Sequence, residues 1–203
     1  MKANTKSILQ CVVVLSAIAL VCGLLLGAVN LFTYVNPLTA AYEKFASDTG
    51  LAFTVPEEDE EEDGEERETT YTMTVTVAGS EKTLTGWVEY YALSDDGTVH
   101  AFLGAGKGGY GGTVEMYVYI TDGTIYQIVE GDNTETYIDR LEESYYDQFL
   151  GRSVSELVNG LDVDYVSGAT KSSTAVTAAI MAVASYYNNY IAEDDSVLEA
   201  ANG

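Results

Sequence analysis

The chain has 203 residues and a formal net charge of −23, from 32 acidic against 9 basic side chains. That length holds one main domain with extensions. So acidic a chain lacks the clustered Lys and Arg that nucleic acid requires of a partner, and its two Cys and one His form no metal-ligating cluster.

Residues 1–7 carry Lys2 and Lys6 and are expected on the cytoplasmic side. From Ile8 to Phe32 the sequence is apolar apart from Gln10, Ser16 and Asn30, and it bears no charge. A helix of about 20 residues crosses the hydrocarbon core of a bilayer, so a transmembrane helix is expected over 8–34. A signal peptide is the competing reading. Its apolar region is usually only about 7–15 residues long, and no small-x-small cleavage site follows cleanly. Cys22 suggests a lipoprotein, but Val21 before it is too bulky for the usual lipobox. Cys11 and Cys22 both fall inside the span, where they pack as small apolar residues and cannot staple an outer domain. Lys2 and Lys6 precede the span, and Lys44 is the only base between it and the acidic tract. This asymmetry predicts a single-pass protein of the cell membrane with the bulk of the chain extracytoplasmic.

Residues 35–69 form a juxtamembrane segment and linker. Leu38, Ala41, Tyr42 and Phe45 share one helical face, which extends the anchor or lies at the membrane interface. Glu57 to Glu68 is almost wholly acidic, a pattern that stays solvated and reads as a flexible linker. A docking surface or loose cation site is the sharper alternative, with no residue spacing to define a coordination geometry.

The main domain is expected over 70–192, with a tail over 193–203. Tyr71, Met73, Val75 and Val77 alternate with threonines, the period of a half-buried strand. Strands are also expected over Lys82–Leu93, which holds Trp87, and over Thr98–Leu103. His100, with no second His or Cys beside it, reads as a surface or pairing residue. Gly104 to Gly112 reads as a glycine-rich loop, and it is not a P-loop because no Lys-Ser/Thr pair ends it. Val114, Met116, Val118 and Ile120 mark a strand over Thr113–Thr121; Asp122-Gly123 then turns the chain into a partner over Thr124–Glu130. Ile138, Leu141, Tyr145 and Phe149 predict a helix over Thr134–Leu150, stopped by Gly151. A short amphipathic helix follows over Ser153–Asn159.

The stretch Asp164-Tyr165-Val166-Ser167-Gly168-Ala169-Thr170 opens the last helix, whose apolar residues Val176, Ile180, Val183, Tyr187 and Ile191 recur at three and four. Thr170 stands at or near the N-cap, where a hydroxyl is ordinarily spent on orphan N–H groups. An ordinary capped helix start explains that much. A helix start also attracts phosphate, and Lys171 adds a cation beside it.

Asp-x-x-Ser-Gly-Ala-Thr resembles the flavinylation motif of the FMN-binding domain found in the G subunit of the Rnf complex and the C subunit of the sodium-pumping NADH:quinone reductase. The resemblance spans roughly residues 84 to 192 and implies a covalent FMN, held as a phosphoester on Thr170. A flavin transferase would attach it from FAD, recognising Asp164, Ser167, Gly168 and Ala169, with Lys171 alongside. Tyr110, Gly111 and Gly112 match a Gly-Tyr-Gly segment of the family, and Glu135-Thr136 matches its Glu-Thr pair. Where the family continues Pro-Gly-Leu-Gly, this chain has Tyr137-Ile138-Asp139-Arg140. The expected fold is therefore α+β, a mainly antiparallel sheet of about five strands with packed helices on one membrane tether. No catalytic residue is expected. Three functions follow: a G-type subunit of an ion-translocating ferredoxin:NAD oxidoreductase, associated with other membrane subunits; a stand-alone extracytoplasmic flavoprotein; or a non-redox acidic binding domain.

Overall fold

The computed structural model describes residues 5–56 and 67–192, with side chains described from residue 8. The acidic tract at 57–66 and the expected tail at 193–203 lie outside the described residues. The chain divides into two units, Met1–Ala40 and Ala41–Gly203.

The first unit is dominated by helix α1, Thr5–Thr33, 29 residues long. At 1.5 Å per residue it measures about 44 Å, more than the roughly 30 Å of a bilayer core. Its apolar side chains from Ile8 onward are exposed all round. It is long and apolar enough to cross a membrane, a property that anchors and signal sequences share. Helix α2, Pro37–Thr49, starts with proline in its first helical position, and the Asn36 side chain accepts from Leu38 N–H at 3.0 Å. Ala41, Tyr42 and Phe45 are buried.

The second unit is an α+β domain built on a six-stranded sheet: β1 Thr70–Val77, β2 Ser80–Leu93, β3 His100–Lys107, β4 Thr113–Thr121, β5 Thr124–Glu130 and β6 Asp162–Val163. The order is β5-β4-β3-β2-β1-β6. Neighbours are antiparallel except β1 and β6, which pair in parallel with Thr76 opposite Asp162 and Val77 opposite Val163. Two hairpins turn through consecutive positive-φ residues, Ala78-Gly79 and Asp122-Gly123, as the twist of two-residue connections demands. The sixth strand is two residues long, too short to show an alternating pattern, and it raises the expected five strands to six.

Alternation in β4 sends Val114, Met116, Val118 and Ile120 inward, where all four are fully buried. They meet helix α5, Thr170–Tyr190, which carries Val176, Ile180, Val183 and Tyr187 into the same core. On the other face Phe45 of α2 packs edge-on to Tyr117 and Tyr119, at 5.8 and 6.2 Å between ring centres. Tyr119 donates to Asp48 at 2.7 Å, and Tyr42 donates to the Tyr91 carbonyl at 3.2 Å. The apolar residues Ala41, Tyr42 and Phe45 of α2 thus cover the sheet.

Three expectations are corrected. Gly104 to Lys107 belong to β3, and only residues 108–112 form the loop. The reason is packing. A Cβ on Gly86, Gly104 or Gly106 would lie 2.3 Å from the Ala178 carbonyl oxygen, 2.6 Å from Val183 Cγ2 or 1.9 Å from the Ala175 carbonyl oxygen, so α5 rests directly on strand backbone. His100 is a pairing residue but not a surface one: it is buried, 3.0 Å from the Tyr91 hydroxyl and edge-on to Tyr187. The single helix expected over 134–150 is instead a 3-10 turn at Ile138–Arg140 and a one-turn helix α3, Glu143–Tyr146. Ile138, Leu141, Tyr145 and Phe149 are all buried as their spacing requires, but Leu141 takes an extended ψ of 88° and breaks the ladder. Helix α4, Val154–Val158, follows as expected, capped by Ser153, whose hydroxyl accepts from Glu156 N–H.

Candidate functional site

The segment 164–169 is held at both ends. β6 pins it to β1, and α5 receives it. Between them Gln148 grips Asp164 from both sides: Asp164 N–H donates to Gln148 Oε1 at 2.6 Å, and Gln148 Nε2 donates to the Asp164 carbonyl at 3.1 Å. Val166 N–H donates to Ser173 Oγ at 3.2 Å, and Ala169 N–H to the Val166 carbonyl at 3.0 Å. Gly168 turns the chain with φ +81°, a left-handed conformation that side chains other than glycine resist. Ala169 is buried, while Asp164, Ser167, Gly168, Thr170 and Lys171 are exposed.

The helix N-cap is Ala169, and it supplies no side-chain cap. Thr170 is therefore the first helical residue, and its hydroxyl makes no hydrogen bond among the described residues. The N–H groups of Thr170, Lys171 and Ser172 precede the first intrahelical bond, from Ser173 N–H to the Ala169 carbonyl at 2.9 Å. An exposed hydroxyl, three orphan donors and the positive end of a 21-residue helix thus coincide.

The loop 108–112 stands over this helix start. Gly109 N–H donates to the Gly112 carbonyl at 3.1 Å and closes the loop. Glu135, buried, ties the loop to the helix: its carboxyl accepts from Gly111 N–H at 2.8 Å and from Ser172 Oγ at 2.7 Å. Both oxygens thereby accept hydrogen bonds inside the protein, so Glu135 fixes the loop against the start of the helix. Lys171 Nζ lies 4.5 Å over the Tyr110 ring, and Tyr110 meets Tyr137 edge-on at 5.4 Å. Arg140 sits 4.5 Å over the other ring, Tyr137, and donates from Nη1 to the Gly168 carbonyl at 3.4 Å.

Of the residues singled out from the sequence, Tyr110, Gly111, Gly112, Glu135, Gly168, Thr170 and Lys171 come together here. The side chains of Asp164 and Ser167 point outward, and Thr136 is exposed beside the site. Tyr137, Arg140, Ser172 and Gln148 are added by the structure. Arg140 had a signal in the sequence: it is one of only 9 bases.

Two cations, a free hydroxyl and orphan N–H groups make a donor set suited to a phosphate monoester or diester, and the rings beside them suit a flat aromatic body. By fold and site this is an α+β domain whose last helix opens on a set of donors suited to a phosphate. Residues 109–185 match the FMN-binding domain family, which supports an FMN-binding domain protein and, at that level, a flavin-binding electron-transfer protein. The match begins at the loop that carries Tyr110 and encloses Glu135, Arg140 and Thr170. No curated protein and no solved structure matches the chain.

Proposed function

We propose that this chain is a membrane-anchored electron-transfer flavoprotein, with FMN attached to Thr170 through a phosphoester. The observation that carries the reading is the Thr170 hydroxyl, exposed and unbonded at the first turn of α5, in a chain whose residues 109–185 match the FMN-binding domain. A capping threonine would have its oxygen occupied by backbone N–H groups. This one is free to lose its proton and take the FMN phosphorus from FAD, with AMP leaving. The flavin supplies the redox chemistry. The protein holds it: Thr170 by the ester, Lys171 and Arg140 by charge, and Glu135 by fixing the loop that carries Tyr110.

A flavin transferase is the partner that forms the ester, reading the exposed Asp164, Ser167 and Gly168 as one surface. Helix α1 anchors the protein among other membrane subunits, as a G-type subunit of an ion-translocating ferredoxin:NAD oxidoreductase would require, with the domain extracytoplasmic. A covalent bond suits that location, where a dissociated flavin would be lost. Co-purification separates this role from that of a stand-alone carrier.

The test is the wild-type chain and Thr170→Ala, each produced with a flavin transferase. Wild type should keep a fluorescent flavin in a denaturing gel and gain the mass of FMN. Thr170→Ala should lose both while its circular dichroism is unchanged, and Thr170→Ser should keep some modification. Covalent flavin on a folded Thr170→Ala variant would overturn the assignment.

A further inference from the structure

We infer that Tyr137 and Arg140, with Tyr110 and Lys171, form a two-sided bracket for the flavin nucleotide, rings for its isoalloxazine and cations for its phosphate. The inference rests on the proposed flavin site and extends it to residues outside the Asp164–Thr170 motif. Four contacts carry it. Lys171 lies over Tyr110 at 4.5 Å, Tyr110 meets Tyr137 at 5.4 Å with the rings inclined at 62°, and Arg140 lies over Tyr137 at 4.5 Å. Arg140 then returns to the motif through the Gly168 carbonyl at 3.4 Å. The series starts one residue after Thr170 and closes two residues before it.

Tyr137 packs partly against the core, but Tyr110 has little reason to stand where it does for folding alone. Tyr110 is 62% exposed, the most exposed large apolar side chain among the described residues of the domain. Its ring buries little area there and adds little to stability. Both cations rest on ring faces, a weak attraction at an exposed site. A phosphate offers each of them a charge-assisted hydrogen bond, which is stronger. Cations drawn to the phosphate leave the ring faces open to a flat aromatic partner. The bracket is also held in place: Glu135 ties the Tyr110 loop to α5, and Ile138 buries the turn that carries Tyr137 and Arg140. In a chain of −23, two of nine bases at one helix start select an anion.

The readout is flavin fluorescence, which stacking on tyrosine quenches. Full-length wild type, Tyr110→Leu, Tyr137→Leu, Tyr137→Phe and Arg140→Gln are compared for FMN content by intact mass and for emission before and after denaturation. Quenching in native wild type should be relieved several-fold in both leucine variants and retained in Tyr137→Phe, at equal covalent FMN. Equal quenching in wild type and both leucine variants overturns the bracket and leaves attachment at Thr170 standing. If wild type carries no covalent FMN, the attachment reading falls, and free FMN titrated into the same proteins decides the bracket. Binding should then weaken about two- to tenfold on losing Tyr137 and about tenfold on losing Arg140. Affinities unchanged in both variants, or no binding of FMN by wild type, overturn it.

Discussion

Gly106→Ala probes the glycine at which an added Cβ would meet α5 most closely. The added Cβ would lie 1.9 Å from the Ala175 carbonyl oxygen, 2.6 Å from Ala179 N and 2.9 Å from Ala178 Cβ. Ordinary contact begins at 3.4 Å, so β3 and α5 must part by 3.4 − 1.9 = 1.5 Å at this point. The nearest obstacle is backbone, and no rotamer change relieves it. Overpacking typically costs about 1–3 kcal/mol, and a backbone collision places this variant near about 3 kcal/mol. Against a total of roughly 5–15 kcal/mol, that loss is large. It corresponds to a fall in Tm of about 10 °C for a domain of this size. Gly104→Ala is the contrasting case, because its nearest neighbour is a side chain, Val183 Cγ2 at 2.6 Å. Val183→Ala should therefore restore part of the stability lost in Gly104→Ala. Ala178→Gly should restore little in Gly106→Ala, since the Ala175 oxygen stays where it is. Thermal melts followed by circular dichroism compare the singles and doubles. A Gly106→Ala protein melting within about 2 °C of wild type would refute the argument.

Glu135→Ala removes the acceptor of Gly111 N–H and Ser172 Oγ, and should cost about 2 kcal/mol in a urea titration. Ser172→Ala, which strands one oxygen of the buried Glu135, should cost about 1–3 kcal/mol and still accept flavin, because Thr170 is intact. Burial, with Glu89 and Asp132 nearby, holds the Glu115 carboxyl above its ordinary value. A raised folded pKa means stability is complete below the unfolded pKa and declines as pH rises through the folded one. Glu115→Gln should thus match wild type below about pH 4 and exceed it at pH 7, by less than about 1 kcal/mol at this half-exposed position. Melts across that range check the sign, and a gain confined to low pH would contradict it. A cysteine at Gly64 should react with an impermeant thiol reagent in intact cells if the domain is extracytoplasmic; labelling only after lysis would reverse the topology.

The strands were legible because their residues alternate. Val114 to Ile120 and Tyr71 to Val77 each obey the period of two, and Asp122-Gly123 names its own turn. Helix α5 was legible for the same kind of reason at a period of 3.6. The segment 134–150 misled because burial of Ile138, Leu141, Tyr145 and Phe149 needs only that they reach the core, and two separate turns deliver them as well as one helix does. Gly104 and Gly106 look like loop glycines locally. Their cause lies 70 residues away in Ala175, Ala178 and Ala179, a partnership that no window of neighbouring residues contains. The site divided along the same line. Thr170 and Lys171 were visible in a contiguous motif, whereas Arg140 and Tyr137 join it only through tertiary contacts.

Under the proposed function, the pairing of β6 with β1 bears on when an attaching enzyme could act. Asp162 and Val163 find their partners in Thr76 and Val77, more than eighty residues earlier, and Gln148 then clamps Asp164. The outward display of Asp164, Ser167 and Thr170 is therefore a product of the finished sheet, absent from the nascent chain. An attaching enzyme would meet a moulded epitope instead of a linear tag. Maturation would follow folding, so only chains that had passed that conformational inspection would carry the cofactor.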